Sequence, residues 1–223
     1  MTQEQIKQYK VLVEFLSNTL GPDYEITLHD LSDKSNSIVA IENGHISGRS
    51  VGGPLTNVAL KIIAEKSYKT ADYKINYSGL SKGNKKLRSC TMFIKDEEGE
   101  LVGLLCINFD DQRYRELSKL VLQLCHPDSY VERGQAAEAA LTRDAEENFP
   151  NSMSALTDDV INDVLTELGT QVERLTQEEK LKIIGMLDEK GVFMLKGAVN
   201  IAAEKLSCSK ASIYRYLGKL KEE

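Results

Sequence analysis

From Gly197 to Leu220 the chain reads G-A-V-N-I-A-A-E-K-L-S-C-S-K-A-S-I-Y-R-Y-L-G-K-L, and the spacing of its apolar residues is that of two short helices joined by a tight turn. Val199, Ala202, Ala203 and Leu206 share one face of the first helix, and the alanine pair lets a second helix approach closely. Ser209 is placed to accept a bond from an orphan backbone N–H and so to cap the second helix, which buries Ile213, Leu217 and Leu220. The opposite face carries Lys210, Ser212, Tyr214, Arg215 and Lys219. In a helix-turn-helix the second helix lies in the DNA major groove. Arg215 suits a guanine edge, and Lys210, Ser212 and Tyr214 suit phosphates. With Ser209 at the cap and Lys219 on the same face, these six form the candidate DNA-binding set. The plain alternative is a helical hairpin with a solvated basic face. The alanine pair, the serine cap and the Lys, Arg and Tyr spacing favour DNA. Ser207 departs from the pattern, because it stands where glycine is usual and a left-handed residue without glycine costs on the order of 1 kcal/mol.

A net charge of −6 sits poorly with DNA binding until it is divided along the chain. Residues 1–127 hold 16 basic and 16 acidic side chains, residues 128–179 hold 3 and 13, and residues 180–223 hold 9 and 5. The acidity is therefore in the middle, and the basic end is the one that has to meet phosphate. The N-terminal segment has charges in its first turns and no apolar h-region, and no run has the length of a membrane span, so a cytoplasmic protein without membrane association is expected. Cys90, Cys106, Cys125 and Cys208 are widely spaced with no C-x-x-C. That spacing suggests neither a metal site nor a disulfide framework.

Ile6, Tyr9, Leu12, Phe15, Leu16 and Leu20 predict an amphipathic opening helix that stops at Gly21-Pro22. Short strands are predicted over 24–31 and 37–41, and a helix from Pro54 with Leu55, Val58, Ala59, Ile62 and Ile63 on its buried stripe. Three more strands follow, over 72–77, 87–95 and 101–109. The last two are joined by the hairpin connection Asp96-Glu97-Glu98-Gly99-Glu100. A helix capped by Asp111 then aligns Tyr114, Leu117, Leu120, Val121 and Leu124 on one side. This order gives an α+β domain with one antiparallel sheet.

The stretches L-G-P-D-Y-E-I-T-L-H-D-L-S, S-I-V-A-I-E-N-G-H-I-S-G-R and V-G-G-P-L-T resemble the YheO-like PAS domain, and the C-terminal element resembles the helix-turn-helix paired with it in YheO/DauR-type transcriptional regulators. The likeness spans roughly residues 6–116 and 170–220. It implies a five-stranded antiparallel PAS sensor with flanking helices, fused to an all-α DNA-binding module.

Between Asn43 and Thr56 the chain gathers groups suited to a small polar ligand: His45, Ser47, Arg49, the backbone of Gly52 and Gly53, and Thr56. Consecutive N–H donors near a helix start favour an anion such as a carboxylate. The alternative is that the glycines only turn the chain and Arg49 is solvated. His29, beside Asp30, is either a further ligand contact or a hydrogen-bonded structural residue, and Asn108 either faces the pocket or marks the polar side of its strand. The loop lacks G-K-[ST] and is not a Walker phosphate loop. Pairing Cys90 or Cys106 with His29 or His45 as nucleophile and base has no local signature behind it, so no catalysis is expected. No residue is assignable to a haem or flavin, and no cofactor is expected.

The expected organisation is a sensor domain over 1–126, an acidic linker over 127–155 and a DNA-binding domain over 156–223. Val160, Ile161, Val164, Leu165 and Leu168 form a helical stripe, either a dimer contact or part of the C-terminal core. Thr176 with Glu179 marks a capping box at the next helix. The leading reading is a DNA-binding regulator that senses a small polar, amino-acid-like effector and binds double-stranded DNA as a homodimer. The alternative is a signalling adaptor whose hairpin docks a protein.

Overall fold

The computed structural model describes residues 1–81, 83, 85–125, 147–169 and 175–220. Of the expected linker 127–155, residues 127–146 lie outside the described residues.

Helix α1 (Gln3–Leu20) opens with a capping box in which Thr2 and Gln5 each bond the other's backbone N–H, and it ends at Gly21, whose φ of 92° a side chain would strain. Val13, Tyr9, Leu12 and Leu16 lie against Ile26, Leu28, Ile94 and Leu105 on the outer face of the sheet. That sheet comprises β1 (Tyr24–Asp30), β2 (Ile38–Glu42), β3 (Tyr73–Leu80), β4 (Lys86–Lys95), β5 (Leu101–Asp110) and β6 (Glu147–Asn148), in the order β2-β1-β5-β4-β3-β6. The first five are antiparallel to their neighbours. The β4–β5 hairpin forms at its expected connection, where the Asp96 carboxylate accepts from the N–H groups of Glu98 (3.1 Å) and Glu100 (2.8 Å) and Gly99 takes a φ of 79°.

Two expectations are corrected here. The sheet has a sixth strand, β6, which pairs parallel with β3 through Gly79 and Leu80, so it is mixed rather than purely antiparallel. This strand comes from the tract read as linker. In addition, the helix expected to start at Pro54 starts later: α2 (Asn57–Ala64) is capped by Thr56, whose Oγ1 accepts from Ala59 N–H at 3.2 Å. A short 3₁₀ turn (Ser67–Lys69) follows.

Helix α3 (Gln112–Cys125) buries none of its residues. Its apolar side, with Tyr114, Leu117, Leu120, Val121 and Leu124, is exposed.

The C-terminal helices are α4 (Met153–Leu168), α5 (Gln177–Glu189), α6 (Ala198–Lys205) and α7 (Lys210–Leu220), with a 3₁₀ turn (Val192–Met194) between α5 and α6. Ser152 caps α4, and the Thr176–Glu179 capping box opens α5. The stripe Val160, Ile161 and Val164 is buried in the core. One apolar cluster runs from the inner sheet face (Tyr77, Phe93, Leu104) through α2 (Val58, Leu60, Ile62) into α4 (Leu156, Ile161), α5 (Ile184, Leu187), α6 (Ala202) and α7 (Ile213, Tyr216). Sheet and helices thus share apolar packing. At Gly191, with φ of 76°, a Cβ would come within 3.2 Å of the Leu60 carbonyl, so the turn after α5 sits directly on α2.

Candidate functional site

Alternation along β1 gives its two faces different chemistry. Ile26 and Leu28 join the apolar layer under α1, whereas Glu25, Thr27 and His29 point to the inner side, and all three are buried. Their cross-strand neighbours continue the pattern. Glu25 stands opposite Asn108, Asn108 opposite Ser89, and Ser89 opposite Tyr77, which makes a polar row across four strands. One step along, Thr27 faces Cys106 and Cys106 faces Thr91, and the Thr91 hydroxyl bridges Tyr77 Oη (2.8 Å) and Cys106 Sγ (3.3 Å).

The loop after β2 closes over this row. Asn43, at a φ of 55°, donates from Nδ2 to the Tyr24 carbonyl (2.8 Å), and the Gly44 carbonyl accepts from Gly48 (2.8 Å) and Arg49 (3.1 Å). A Cβ at Gly44 would lie 2.6 Å from the Arg49 carbonyl, so only glycine permits the turn that sends Ser47 and Arg49 inward. There the Glu25 carboxylate accepts from Asn108 Nδ2 (2.8 Å), Ser47 N–H (3.1 Å), Arg49 Nη2 (3.3 Å) and the Ser47 hydroxyl. The Glu25–Arg49 ion pair is almost wholly withdrawn from solvent, with side-chain exposures of 0% and 1%.

Next to this pair, Thr56 Oγ1 donates to Glu147 Oε1 at 2.7 Å, and the Arg49 guanidinium lies 4.9 Å from the centroid of the Phe149 ring. Four buried atoms in this cluster find no hydrogen-bond partner within the protein: Arg49 Nη1, Ser89 Oγ, Asn108 Oδ1 and Glu147 Oε2. Unmet buried polar groups cost about 1–3 kcal/mol each. Together they provide a cationic donor, a hydroxyl and two acceptors, a set that complements a small molecule carrying both an anionic oxygen and a hydrogen-bond donor.

Of the residues picked out from sequence as ligand contacts, Ser47, Arg49, Thr56 and Asn108 lie in this buried cluster, and His29 stands two steps along from Glu25 on the same face of β1, its Nδ1 2.9 Å from Ser37 Oγ. His45 is exposed. Gly52 N–H donates to the Ile38 carbonyl (2.9 Å) and Gly53 N–H to the Ser50 carbonyl (3.0 Å), so neither is directed at a ligand. Glu25, Ser89, Glu147 and Phe149 were not anticipated. Only Glu25 carried a signal, as the polar alternate of a strand. Burial pushes the Cys106 thiol up to about 12, and Cys90 is offset by one residue from the buried Ser89 and Thr91, its sulfur accepting from Asn76 N–H at 3.5 Å.

Burial, reinforced by the Arg49 charge, lowers the His29 pKa well below its ordinary value of 6.5. Burial raises the Glu147 carboxyl above its ordinary 4.5, against the opposing effects of the Thr56 hydrogen bond and the Arg49 charge. The signs are opposite in effect. As pH falls below about 6.5 the unfolded chain protonates His29 while the folded chain resists, so that stability contribution is lost on the acid side. As pH rises from about 4.5 the folded chain holds the Glu147 proton longer than the unfolded chain, so that contribution is lost as pH climbs through the raised value. Urea unfolding at stepped pH is expected to show a flatter acid limb in His29→Asn and a smaller decline above pH 4.5 in Glu147→Gln. Profiles that parallel the parent's would contradict these assignments.

At the other end of the chain, Ser212 N–H donates to Ser209 Oγ at 3.1 Å, which forms the expected cap of α7. Ser207 adopts the left-handed conformation with φ of 47°, and Lys180 Nζ donates to its carbonyl at 3.3 Å, tying the turn to α5. Ile213 and Tyr216 turn inward, while Ser209, Lys210, Tyr214, Arg215 and Lys219 are exposed and Ser212 is half-buried. Tyr216, unlike Leu217 and Leu220, is fully committed to the core, a reversal of the expected order. The Arg215 guanidinium stands 5.3 Å from the Tyr216 ring centroid.

Comparison with known proteins identifies both parts. Residues 1–126 match the family described as YheO-like PAS domain, and residues 156–218 match a helix-turn-helix domain family. An uncharacterized protein of Haemophilus influenzae is 29% identical over 98% of this chain and 92% of its own. YheO of Escherichia coli K12 is 27% identical over 97% of this chain and 85% of its own, and the transcriptional regulator DauR of Pseudomonas aeruginosa is 25% identical over 97% and 95%.

Proposed function

Because the chain belongs to the YheO-like PAS family and carries a helix-turn-helix domain after its PAS domain, as YheO/DauR-type regulators do, we propose that it is a DNA-binding transcriptional regulator whose PAS interior binds a small amino-acid-like effector. The observation that carries the effector reading is Arg49, buried beneath its loop with Nη1 unpartnered and facing a cluster that also leaves Asn108 Oδ1 and Glu147 Oε2 free. A carboxylate on Arg49 and an ammonium between the two acceptors would satisfy all three.

The recognition element is α7, with 11 residues. Such a helix reads only a few base pairs, and a homodimer gains affinity by placing two copies on half-sites about 34 Å apart. Tyr114, Leu117, Val121 and Leu124 repeat on α3 as i, i+3, i+7 and i+10, the spacing of a helix-pairing seam, which supports a second copy of the chain on that exposed side. The protein acts in the cytoplasm, where its DNA is, and has no catalytic role. No helix among the described residues is long and apolar enough to cross a membrane.

A thermal-shift screen of L- and D-amino acids on the full chain tests the effector reading. At about a hundredfold excess over Kd a ligand adds about 2.7 kcal/mol, which is a rise in Tm of roughly 5–10 °C. The same compound is expected to alter affinity for an operator selected from random DNA. If no amino acid raises Tm, or one does so without affecting operator binding, the reading fails.

A further inference from the structure

The segment that carries Glu147 lies beyond the part of the chain that matches the PAS family, and it runs straight into the C-terminal helices. Glu147 and Asn148 pair with Gly79 and Leu80, Phe149 follows, and Ser152 already caps α4. We propose that Glu147 and Phe149 are effector-contacting residues and that this short segment carries the occupancy of the pocket to the helix-turn-helix. The inference rests on the effector reading above and assigns the path by which the effector would act.

Three contacts tie the segment to the pocket. Thr56 Oγ1 donates to Glu147 Oε1 (2.7 Å), Asn148 N–H donates to Asn57 Oδ1 (2.9 Å), and the Phe149 ring lies under the Arg49 guanidinium at 4.9 Å. The remaining Glu147 oxygen, Oε2, is buried and unpartnered, as are Arg49 Nη1 and Asn108 Oδ1. A ligand ammonium would bind this oxygen and draw the carboxylate inward. A ligand carboxylate on Arg49 would alter the surface on which Phe149 rests. In both cases the position of residues 147–149 depends on what fills the pocket.

Downstream, α4 has little freedom to absorb such a shift. Leu156, Ile161 and Val164 are fully buried in the cluster that also holds α5, α6 and α7, and close-packed cores pass displacements on. Ser35 Oγ donates to Met153 Sδ at 2.9 Å, so the first turn of α4 also touches the loop between β1 and β2. An effector acts through this route only by binding one position of the segment better than another.

Hydrogen exchange and operator binding on the full chain, without any effector, test the path. In Gly79→Ala the new Cβ would lie 2.7 Å from the Phe149 ring and would displace it. In Glu147→Ala the bond to Thr56 is lost. Both variants are expected to speed exchange at residues 147–156 by roughly tenfold or more, to leave β1, β4 and β5 protected, and to change operator affinity by roughly tenfold. Should Glu147→Ala not fold, Gly79→Ala and Phe149→Leu carry the measurement. Faster exchange with unchanged operator affinity would make the segment a structural clasp and overturn the proposal, as would unchanged exchange. A failed amino-acid screen would count against the effector reading and with it the effector contacts of Glu147 and Phe149, whereas the path through residues 147–156 is tested on its own, because neither measurement here uses a ligand.

Discussion

Replacing Glu25 with alanine is expected to lower the stability of the full chain by about 3–5 kcal/mol, a fall in Tm of roughly 10 °C. Arg49 has side-chain exposure of 1%, its Nη2 is paired with Glu25 at 3.3 Å, and its Nε bonds Ser47 Oγ at 3.3 Å. Without Glu25 the buried guanidinium loses the carboxylate it is paired with. Asn108 Nδ2 and the Ser47 N–H lose their acceptor at the same time. The cost comes from stranding these groups rather than from the net value of the pair, because desolvation offsets much of the attraction between buried charges. The double variant Glu25→Leu with Arg49→Met strands no charge, and it should recover a large part of the loss. Urea unfolding of the single and double variants separates these terms. If the double variant is as unstable as the single one, the lost stability comes from packing of the loop and not from an orphaned charge.

Much of the fold was legible because its signals are local. The Thr176–Glu179 capping box, the Ser209 cap, the Asp96–Gly99 hairpin and the left-handed Ser207 each depend on residues within one turn of one another, and each appears where the spacing places it. The pocket was only half legible. Arg49 and Ser47 stood out because a glycine-rich loop surrounds them, but Gly52 and Gly53 looked like anion donors only because their partners, the Ile38 and Ser50 carbonyls, cannot be seen in the spacing. The spacing gives Glu25 and Thr27 no role and leaves His29 open as either a ligand contact or a hydrogen-bonded structural residue. The sheet is in fact covered on both faces, by α1 outside and by α2 and the loop inside, so both sets are buried. Glu147 left no trace in an acidic, alanine-rich tract. Its burial depends on a parallel pairing with Gly79, where the absence of a side chain makes room for Phe149.

The second large effect concerns DNA. Arg215 is exposed on α7 and forms no ion pair among the described residues, so its removal should leave the fold and its Tm unchanged. Bidentate contact between arginine and guanine is worth a discrimination of roughly ten- to hundredfold against the wrong base. Lys219, which lies near the end of the same helix, is expected to act on phosphate and to weaken binding uniformly across sequences, with a smaller salt slope when replaced. These two behaviours distinguish a sequence reader from a generally basic surface. The most direct measurement is therefore the affinity of the parent chain and of Arg215→Ala for an operator selected from random DNA and for a scrambled duplex, at matched salt. The expected result is a loss of roughly ten- to hundredfold on the operator with little change on the scrambled duplex. Equal affinity of the two proteins for the operator, with both folded, would contradict the assignment of α7 as the DNA-reading helix.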